Sequence, residues 1–357
     1  MTVIRIFVLA CVWTPVLSAA SWAEDSPPGT LVVAIGKGAG LVEPFGIDFD
    51  AAGNAYVVEL AGGRVLKFDT KGRMTTIAGA LREKGDGGDG GPAADARFNG
   101  LHNLAVAPSG DIYLADTWNR KVRKIDGKTG RVSTVAGTGA KGYTGDDGPA
   151  IEATFGGIYC VSLDPAGEHL YLADLDNRRI RAVDLSSGLV RPVAGNGEQG
   201  VPKDGSDARR SPLVDPRAVA VDRRGNVYIL ERGGHALRVV DAEGKIRTVV
   251  NASGKAGAEN DAGGDALATR LNGPKHLCVD GDGNVIVADA ESNVVRKYLP
   301  KTGKIVRIAG TLQRGAAGID GPAIEAQLAR PHGVTVGRDG KLYIVDSYND
   351  RVVRVER

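Results

Sequence analysis

The sequence predicts an all-β protein, a six-bladed β-propeller whose blades are four-stranded antiparallel sheets. The first observation behind this prediction is an internal repeat that returns six times, at intervals of 57, 58, 57, 58 and 57 residues. The second is composition: glycine contributes 51 of 357 residues, about twice its usual proportion, which favours many tight turns between short elements. The anchors of the repeat are Tyr56, Tyr113, Tyr171, Tyr228, Ile286 and Tyr343.

Each repeat contains four short runs with the features of strands. In the second repeat they are residues 103–106, 113–116, 121–126 and 132–137, and the third run alternates polar and apolar residues. The second run ends in an acid in every repeat. Because all six copies carry it, we expect this acid to stabilise a turn by accepting backbone N–H groups rather than to bind calcium. The six acids are Glu59, Asp116, Asp174, Glu231, Asp289 and Asp346.

A glycine-rich segment closes each repeat, and in three copies it is followed by a proline. Pro92, Pro149 and Pro322 each follow glycine, and proline suits the first position of a helix. We therefore expect a single helical turn after each proline. The side chains expected to pack inward behind these turns are Phe98, Phe155 and Leu328.

The last repeat predicts how the ring closes. Residues 331–357 end after a third strand, whereas residues 30–36 match the fourth-strand pattern of the other copies. Pairing these two segments would complete the last blade and remove an exposed sheet edge. Residues 30–357 are thus expected to form one domain. Its blades are predicted near 43–79, 100–137, 157–195, 216–251, 274–310 and 331–357 plus 30–36.

The first residues have the features of a secretory signal peptide. Residues 1–23 contain Arg5, a short apolar run and small residues at a cleavage site, and residues 24–29 form a linker. We expect export to the periplasm or the extracellular space, and no membrane span, because no apolar run is long enough. The two remaining cysteines, Cys160 and Cys278, lie two repeats apart and are expected to be buried free thiols.

The motifs resemble the NHL-repeat family of propellers. The resemblance is carried by Pro331-His-Gly-Val-Thr-Val336, Gly340-Lys-Leu-Tyr-Ile-Val-Asp346 and Tyr348-Asn-Asp-Arg-Val352, and it covers residues 30–357. The fourth copy departs from the pattern at Glu231-Arg-Gly-Gly-His235. The resemblance implies a fold more than a function, since one fold hosts many activities.

Some NHL propellers bind RNA, and the third strands here are basic. The basic residues in question are Lys121, Arg123, Lys124, Arg178, Arg179 and Arg181. The whole chain, however, has 45 Lys and Arg against 43 Asp and Glu, so its formal charge is only +2. Without a basic surplus the electrostatic attraction to phosphates is small, and we expect no nucleic-acid partner.

Strand direction predicts a candidate site at one mouth of the central channel. The position just before each first strand should form a ring there, and the next position should point further inward. The ring is Phe45, His102, Tyr159, Arg217, Lys275 and His332, and the next positions are Gly46, Asn103, Cys160, Ala218, His276 and Gly333. We expect Trp118 and Tyr348 to crown the same face.

From these positions we select candidate ligand-binding residues. They are His102, Asn103, Trp118, Arg217, Lys275, His276, His332 and Tyr348. The two cations and the imidazoles predict a positive rim, with rings for stacking, that would suit a protein or a small anionic or carbohydrate ligand. The alternative is that such positions are polar only because the mouth is wet.

Two resemblances keep an enzyme open as the alternative to a monomeric binding module. Peptidyl-hydroxyglycine lyase propellers hold zinc with histidines of alternate blades, where this chain has His102, Arg217 and His332. Arginine does not ligate a metal in its cationic form. Sugar-lactonase propellers hold calcium with an acid at a strand end. We expect no cofactor, with zinc or calcium as the minor alternative.

Overall fold

The computed structural model describes residues 29–258 and 263–356, and it confirms the predicted six-bladed β-propeller. Within those residues 26 strands form six antiparallel sheets of four or five strands. The predicted signal peptide, residues 1–23, and residues 24–28 of the predicted linker lie outside the described residues. No helical segment among the described residues has the length and apolar character that crossing a membrane would need.

The blades follow one another along the chain, and each contributes its strands from the axis outward. Blade 1 consists of β2 (Pro44–Phe49), β3 (Ala55–Glu59), β4 (Arg64–Phe68) and β5 (Met74–Gly79). Blade 2 consists of β6 (Leu101–Val106), β7 (Ile112–Asp116), β8 (Lys121–Ile125) and β9 (Val132–Ala136). Blade 3 consists of β10 (Ile158–Leu163), β11 (His169–Asp174), β12 (Arg179–Asp184) and β13 (Val190–Ala194).

Blades 4 and 5 each carry an additional two-residue strand at the outer edge. Blade 4 consists of β15 (Pro216–Val221), β16 (Val227–Glu231), β17 (Ala236–Val240) and β18 (Lys245–Val250), with β14 (Ser206–Asp207) outside β18. Blade 5 consists of β20 (His276–Val279), β21 (Val285–Asp289), β22 (Val294–Leu299) and β23 (Lys304–Ala309), with β19 (Gly264–Asp265) outside β23. Blade 6 consists of β24 (Gly333–Val336), β25 (Leu342–Asp346), β26 (Arg351–Glu356) and β1 (Thr30–Ile35).

The N-terminal strand closes the ring, as the sequence predicts. β1 runs antiparallel to β26, with Thr30 opposite Glu356 and Leu31 opposite Val355. Leu31 is fully buried whereas Val33, two residues on, is 42% exposed. Blade 6 is therefore built from both ends of the described chain, and its core face depends on β1.

Single turns of 3-10 helix occupy two recurrent places, the segment that joins successive blades and the loop after the second strand. They are Lys37–Ala39, Ala93–Asp95, Thr117–Asn119, Ala150–Glu152, Leu175–Asn177, Ala208–Arg210, Ala290–Ser292, Ala323–Glu325 and Ser347–Asn349. The predicted prolines precede these turns instead of occupying their first position. Pro92, for example, is extended (φ −60°, ψ 139°) and occupies the N-cap position of Ala93–Asp95. Proline has no N–H, and at this position the helical turn does not need one. Phe98, Phe155 and Leu328 are fully buried behind the turns, as expected.

The acid at the end of each second strand accepts a backbone N–H, which confirms the structural role predicted for it. The donor lies 17 or 18 residues earlier in the chain, so the bond holds the segment that enters the blade and not the acid's own turn. Asp116 Oδ1, for example, accepts from Asn99 N at 2.7 Å. The donors, in chain order, are Val42, Asn99, Gly156, Val214, Asn272 and Ala329.

Arginines at one recurrent position of the third strands face the interior, whereas Lys121, Lys124 and Arg179 are partly exposed. Arg123 and Arg181 are fully buried, as are Arg238 and Arg296 at the same position of the next blades. Arg238 pairs with Glu231 at 2.8 Å, at the end of the neighbouring strand. These guanidinium groups balance the buried acids and are not available to an external nucleic acid.

Both described cysteines are free thiols, as predicted, but only Cys160 is also buried as predicted. Cys160 is buried on β10, and burial raises the pKa of its thiol to about 11. Cys278 is only partly buried, because it lines the central channel.

Candidate functional site

The predicted ring at the channel mouth exists as a chain of ring contacts. The Phe45 ring stacks on His332 at a centroid distance of 4.0 Å and an interplanar angle of 15°. On the other side it meets the edge of His102 at 5.4 Å. Phe45 therefore separates the two histidines, and all three side chains are buried.

His102 is held in one orientation by two oxygens. Its Nδ1 lies 2.9 Å from the Gly100 carbonyl oxygen and 2.9 Å from Thr117 Oγ1. Because Thr117 Oγ1 lies 2.6 Å from the Ile158 carbonyl, to which it donates, we assign the imidazole proton to Nδ1. Nε2 then keeps its lone pair. The ring also contacts Trp118 at 5.6 Å and Tyr159 at 4.7 Å.

Arg217 continues the ring in blade 4 as a buried cation. Its guanidinium lies 4.7 Å from the centre of the Tyr159 ring, and Nη1 donates to the Tyr159 carbonyl at 3.2 Å. The residue is 5% exposed, and no carboxylate among the described residues lies within ion-pair distance of it. Burial lowers the pKa of Arg217 to about 10.

Lys275, the next member of the ring, is neutralised by a group that the sequence did not single out. Its Nζ lies 3.2 Å from Glu291 Oε1, and Glu291 also accepts a hydrogen bond from Arg330. Burial lowers the pKa of Lys275 to about 8, against the opposing effect of Glu291. Glu291 occupies the place in blade 5 that Trp118 occupies in blade 2, so an alignment of these turns would have identified it.

The two predicted crown residues are exposed aromatic rings with cations beside them. Trp118 is 41% exposed and Tyr348 is 38% exposed. Lys84 Nζ lies 5.2 Å from the centre of the Trp118 ring. Arg330 Nη1 donates to the Tyr348 hydroxyl at 2.6 Å, and the guanidinium of Arg314 lies 5.1 Å from the same ring.

The imidazoles do not supply the positive charge expected of this rim. Burial, followed by the charge of Arg217, holds the pKa values of His102 and His332 well below 6.5, so both are neutral at pH 7. His332 Nδ1 is buried and has no well-formed hydrogen bond among the described residues, although the Arg330 carbonyl favours its proton. The charge of the mouth comes from arginine and lysine.

Asn103 and His276 are not open to a ligand at the rim, because they bond to each other. Asn103 Nδ2 lies 2.9 Å from His276 Nε2, and Asn103 Oδ1 accepts from Val161 N at 2.9 Å. The bond joins blades 2 and 5, which lie opposite each other. Beyond these two residues the channel is a cavity of about 200 Å³ lined by the first strands of all six blades.

The donor set of the mouth does not fit a catalytic zinc ion, which takes three protein ligands. Of the three positions on alternate blades, Arg217 is cationic, and His102 and His332 are kept apart by Phe45. Within residues 29–258 and 263–356, no three His, Cys, Asp or Glu side chains are grouped so that they could hold a metal ion.

Comparison with protein families gives two matches. Residues 328–354 match the NHL repeat, and residues 184–262 match the teneurin NHL domain.

Three curated relatives are 27–28% identical to this chain. Suppressor of quenching 1 from Arabidopsis thaliana is 27% identical over 278 residues, covering 75% of this chain and 26% of the relative. Human teneurin-1 is 27% identical over 290 residues, covering 75% and 10%. NHL repeat-containing protein 2 from Bos taurus is 28% identical over 274 residues, covering 70% and 37%. The chain thus spans only 10–37% of the length of these relatives.

Solved structures share the fold at low sequence identity. An auxiliary nutrient binding protein from Bacteroides ovatus has a TM-score of 0.63 and 14% identity, covering 88% of this chain and 69% of its own. A streptogramin B lyase has a TM-score of 0.55 and 14% identity, covering 88% and 94%. A gluconolactonase from Xanthomonas campestris has a TM-score of 0.59 and 13% identity, covering 94% and 96%. The likeness extends to the fold, which serves both binding proteins and enzymes.

Proposed function

We propose that this chain, an NHL-repeat β-propeller, is an exported binding protein that takes a small anionic ligand in its channel mouth. The observation that carries the proposal is Arg217, a cation that is 5% exposed and has no carboxylate partner among the described residues. Export rests on the signal-peptide features of residues 1–23.

A buried charge without a partner is costly, and a protein keeps one where a ligand completes the pair. Arg217 uses one nitrogen in its bond to the Tyr159 carbonyl. A guanidinium presents five N–H donors in a planar fork, so the remaining donors suit the two oxygens of a carboxylate. Lys275, the next member of the ring, is already paired with Glu291 at 3.2 Å, so Arg217 is the cation left for the ligand.

The exposed rings narrow the class of ligand. Trp118 and Tyr348 present more than a third of their surfaces at the mouth, and aromatic faces of this kind pack against the flat side of a sugar ring. A sugar acid combines such a face with a carboxylate. A carboxylate on a protein partner would meet the same Arg217, but a side chain that is only 5% exposed is reached more easily by a small molecule than by a protein surface.

Titration calorimetry with D-glucuronate, and with D-glucose as its uncharged counterpart, tests the proposal. We expect binding of the acid only, and a loss of at least about tenfold in affinity for Arg217→Ala. The matched control is Arg210→Ala, which removes a cation whose side chain is 89% exposed. Equal binding of both sugars, or an Arg217→Ala variant that binds as the wild type does, would contradict the proposal.

An enzyme of the lyase or lactonase type at the same mouth is the second candidate. His102 supports it, because Nδ1 is fixed by Gly100 and Thr117 while Nε2 has no partner among the described residues. Turnover of a sugar lactone by the purified protein distinguishes the candidates. Hydrolysis that is lost in the His102→Ala variant would favour the enzyme.

A further inference from the structure

The loop after each second strand places one residue beside the ring residue of the same blade. In blade 2 this residue is Trp118, whose ring contacts His102 at a centroid distance of 5.6 Å. In blade 6 it is Tyr348, whose ring contacts His332 at 5.9 Å. We extend the term crown residue to the second residue of this loop in every blade. The six crown residues, in chain order, are Ala61, Trp118, Asp176, Gly233, Glu291 and Tyr348.

The two cations of the ring differ in what the crown residues of their own blades offer them. Lys275 belongs to blade 5, where the crown residue is Glu291, and its Nζ lies 3.2 Å from Glu291 Oε1. Arg217 belongs to blade 4, where the crown residue is Gly233 and has no side chain that could pair with a cation. The crown position therefore accounts for both observations, the paired state of Lys275 and the absence of a described carboxylate at Arg217.

Glu291 is held by cations of two blades. Besides contacting Lys275, it accepts a hydrogen bond from Arg330, which precedes blade 6 and also donates to the Tyr348 hydroxyl at 2.6 Å. Partial burial raises the pKa of Glu291, but the hydrogen bond from Arg330 and the charge of Lys275 outweigh it and lower that pKa. Glu291 is therefore an ionised carboxylate at pH 7, fixed beside Lys275.

This pair makes the mouth unfavourable for a second ligand charge. A ligand with one carboxylate can pair with Arg217 and leave the pair of Lys275 and Glu291 intact. A second anionic group that approached Lys275 would also come close to Glu291, because the two charged groups are in contact. The Lys275 side chain is only 11% exposed, so solvent screens the resulting repulsion of like charges weakly.

Asp176 provides a comparison within the chain. It is the crown acid of blade 3, it is exposed, and it forms no ion pair within the described parts of the chain. The ring residue of its blade is Tyr159, which carries no positive charge. Asp176 thus contributes an acid at the same position of the loop without holding a cation.

We propose that Glu291 determines the charge class of the ligand: by holding Lys275, it makes the mouth selective for monoanions over dianions. This inference rests on the proposed function, in which Arg217 binds the carboxylate of the ligand. It gives Glu291 a role in specificity that requires no contact with the ligand. Loss of its charge would release Lys275, which would then offer a second cation in the blade next to Arg217.

Competition calorimetry with D-glucuronate and D-glucarate at pH 6 tests the proposal. D-Glucarate has the same carbon skeleton with a carboxylate at each end, and its open chain lets the second carboxylate turn towards Lys275. Because Glu291 raises the pKa of Lys275, the lower pH favours protonated Lys275 once Glu291 is replaced. The wild type should bind D-glucuronate more tightly. In Glu291→Gln, the ratio of the two affinities should shift at least about tenfold towards D-glucarate.

Two further variants identify the group responsible. Asp176→Asn removes the charge of the other crown acid and should shift the ratio less than about threefold, because it releases no cation. Lys275→Met in the Glu291→Gln background removes the released cation and should return the ratio to within about threefold of the wild-type value. Both affinities are measured on the same folded protein, so a loss of stability in a variant does not alter their ratio.

The remaining outcomes would overturn the inference. An unchanged ratio in Glu291→Gln, with D-glucuronate still bound through Arg217, would do so and leave the proposed function intact. So would a wild type that prefers D-glucarate. An equal shift in Asp176→Asn would show that the net charge of the face sets the preference, and a ratio that Lys275→Met does not restore would show that Glu291 acts on another group. A wild type that binds no D-glucuronate would overturn the proposed function together with this inference.

Discussion

Asn103 Nδ2 lies 2.9 Å from His276 Nε2, and this hydrogen bond joins opposite blades across the axis of the propeller. It separates the cationic mouth from the channel cavity beyond it. A contact across the axis couples blades that share no edge. The bond therefore stabilises the ring of blades and also helps to shape the site.

Asn103→Ala should lower the free energy of unfolding by about 1–3 kcal/mol, because it also leaves Val161 N–H without its acceptor. Chemical denaturation measures the change. Asn54→Ala, in a partly buried turn of blade 1 where the side chain bonds to Asp50, is the control and should cost less. Equal losses of unfolding free energy would show that the hydrogen bond across the axis stabilises the protein no more than a bond within a turn.

The free energy of unfolding should fall on acidification because His276 is buried in its neutral form. Burial lowers its pKa from 6.5 to about 4, so between these values the unfolded chain binds more protons than the folded one. This contribution is complete above pH 6.5 and is lost as pH falls through 4, a change on the order of 3 kcal/mol. His276→Gln keeps an acceptor for Asn103 but does not titrate. Its stability relative to the wild type should rise on acidification, and denaturation curves that stay parallel from pH 7 to pH 4 would contradict this assignment.

Asp116→Ala should destabilise the protein by about 1–3 kcal/mol, because it leaves the buried Asn99 N–H without an acceptor and removes one of the two carboxylates that face Arg123. Glu152→Ala removes an exposed acid from a connection and should change stability by less than about 0.5 kcal/mol. Thermal unfolding compares the two. A small effect of Asp116→Ala would mean that the acids at the strand ends are dispensable.

Arg217→Met should stabilise the free protein while it abolishes binding of the acid. Methionine fills a similar volume without a buried charge, and the expected gain is about 1–2 kcal/mol after loss of the bond to Tyr159. The melting temperature without ligand is the measurement. A lower melting temperature would show that Arg217 serves the fold and not a ligand.

The ring closure can be tested on two residues of β1 that lie two positions apart. Leu31 is fully buried and Val33 is 42% exposed. Leu31→Ala should cost about 2–5 kcal/mol and Val33→Ala less than about 1 kcal/mol. Denaturant titration measures the free energy of unfolding of both variants. Similar losses would argue against β1 as the strand that completes blade 6.

Much of the fold could be predicted because its determinants are local and recur. The six anchors near Tyr56, Tyr113 and their counterparts carry the alternation of a strand and the glycine of a turn, so the number of blades follows from counting. The match of residues 30–36 to a fourth strand predicted the closure for the same reason. The prolines were misplaced by one position, since proline's φ suits the extended residue before a turn as well as the first residue within it.

The sequence by itself determined the blades, the closure and the set of residues that meet at the mouth, because strand period and repeat spacing assign each residue to a face. Only the tertiary structure decided what those residues do to one another. The bond between Asn103 and His276, the absence of a described carboxylate at Arg217 and the neutral state of His102 depend on distances and burial between blades. Spacing along a chain contains no information on such distances, since it gives the order of the blades and not how far their side chains reach across the axis.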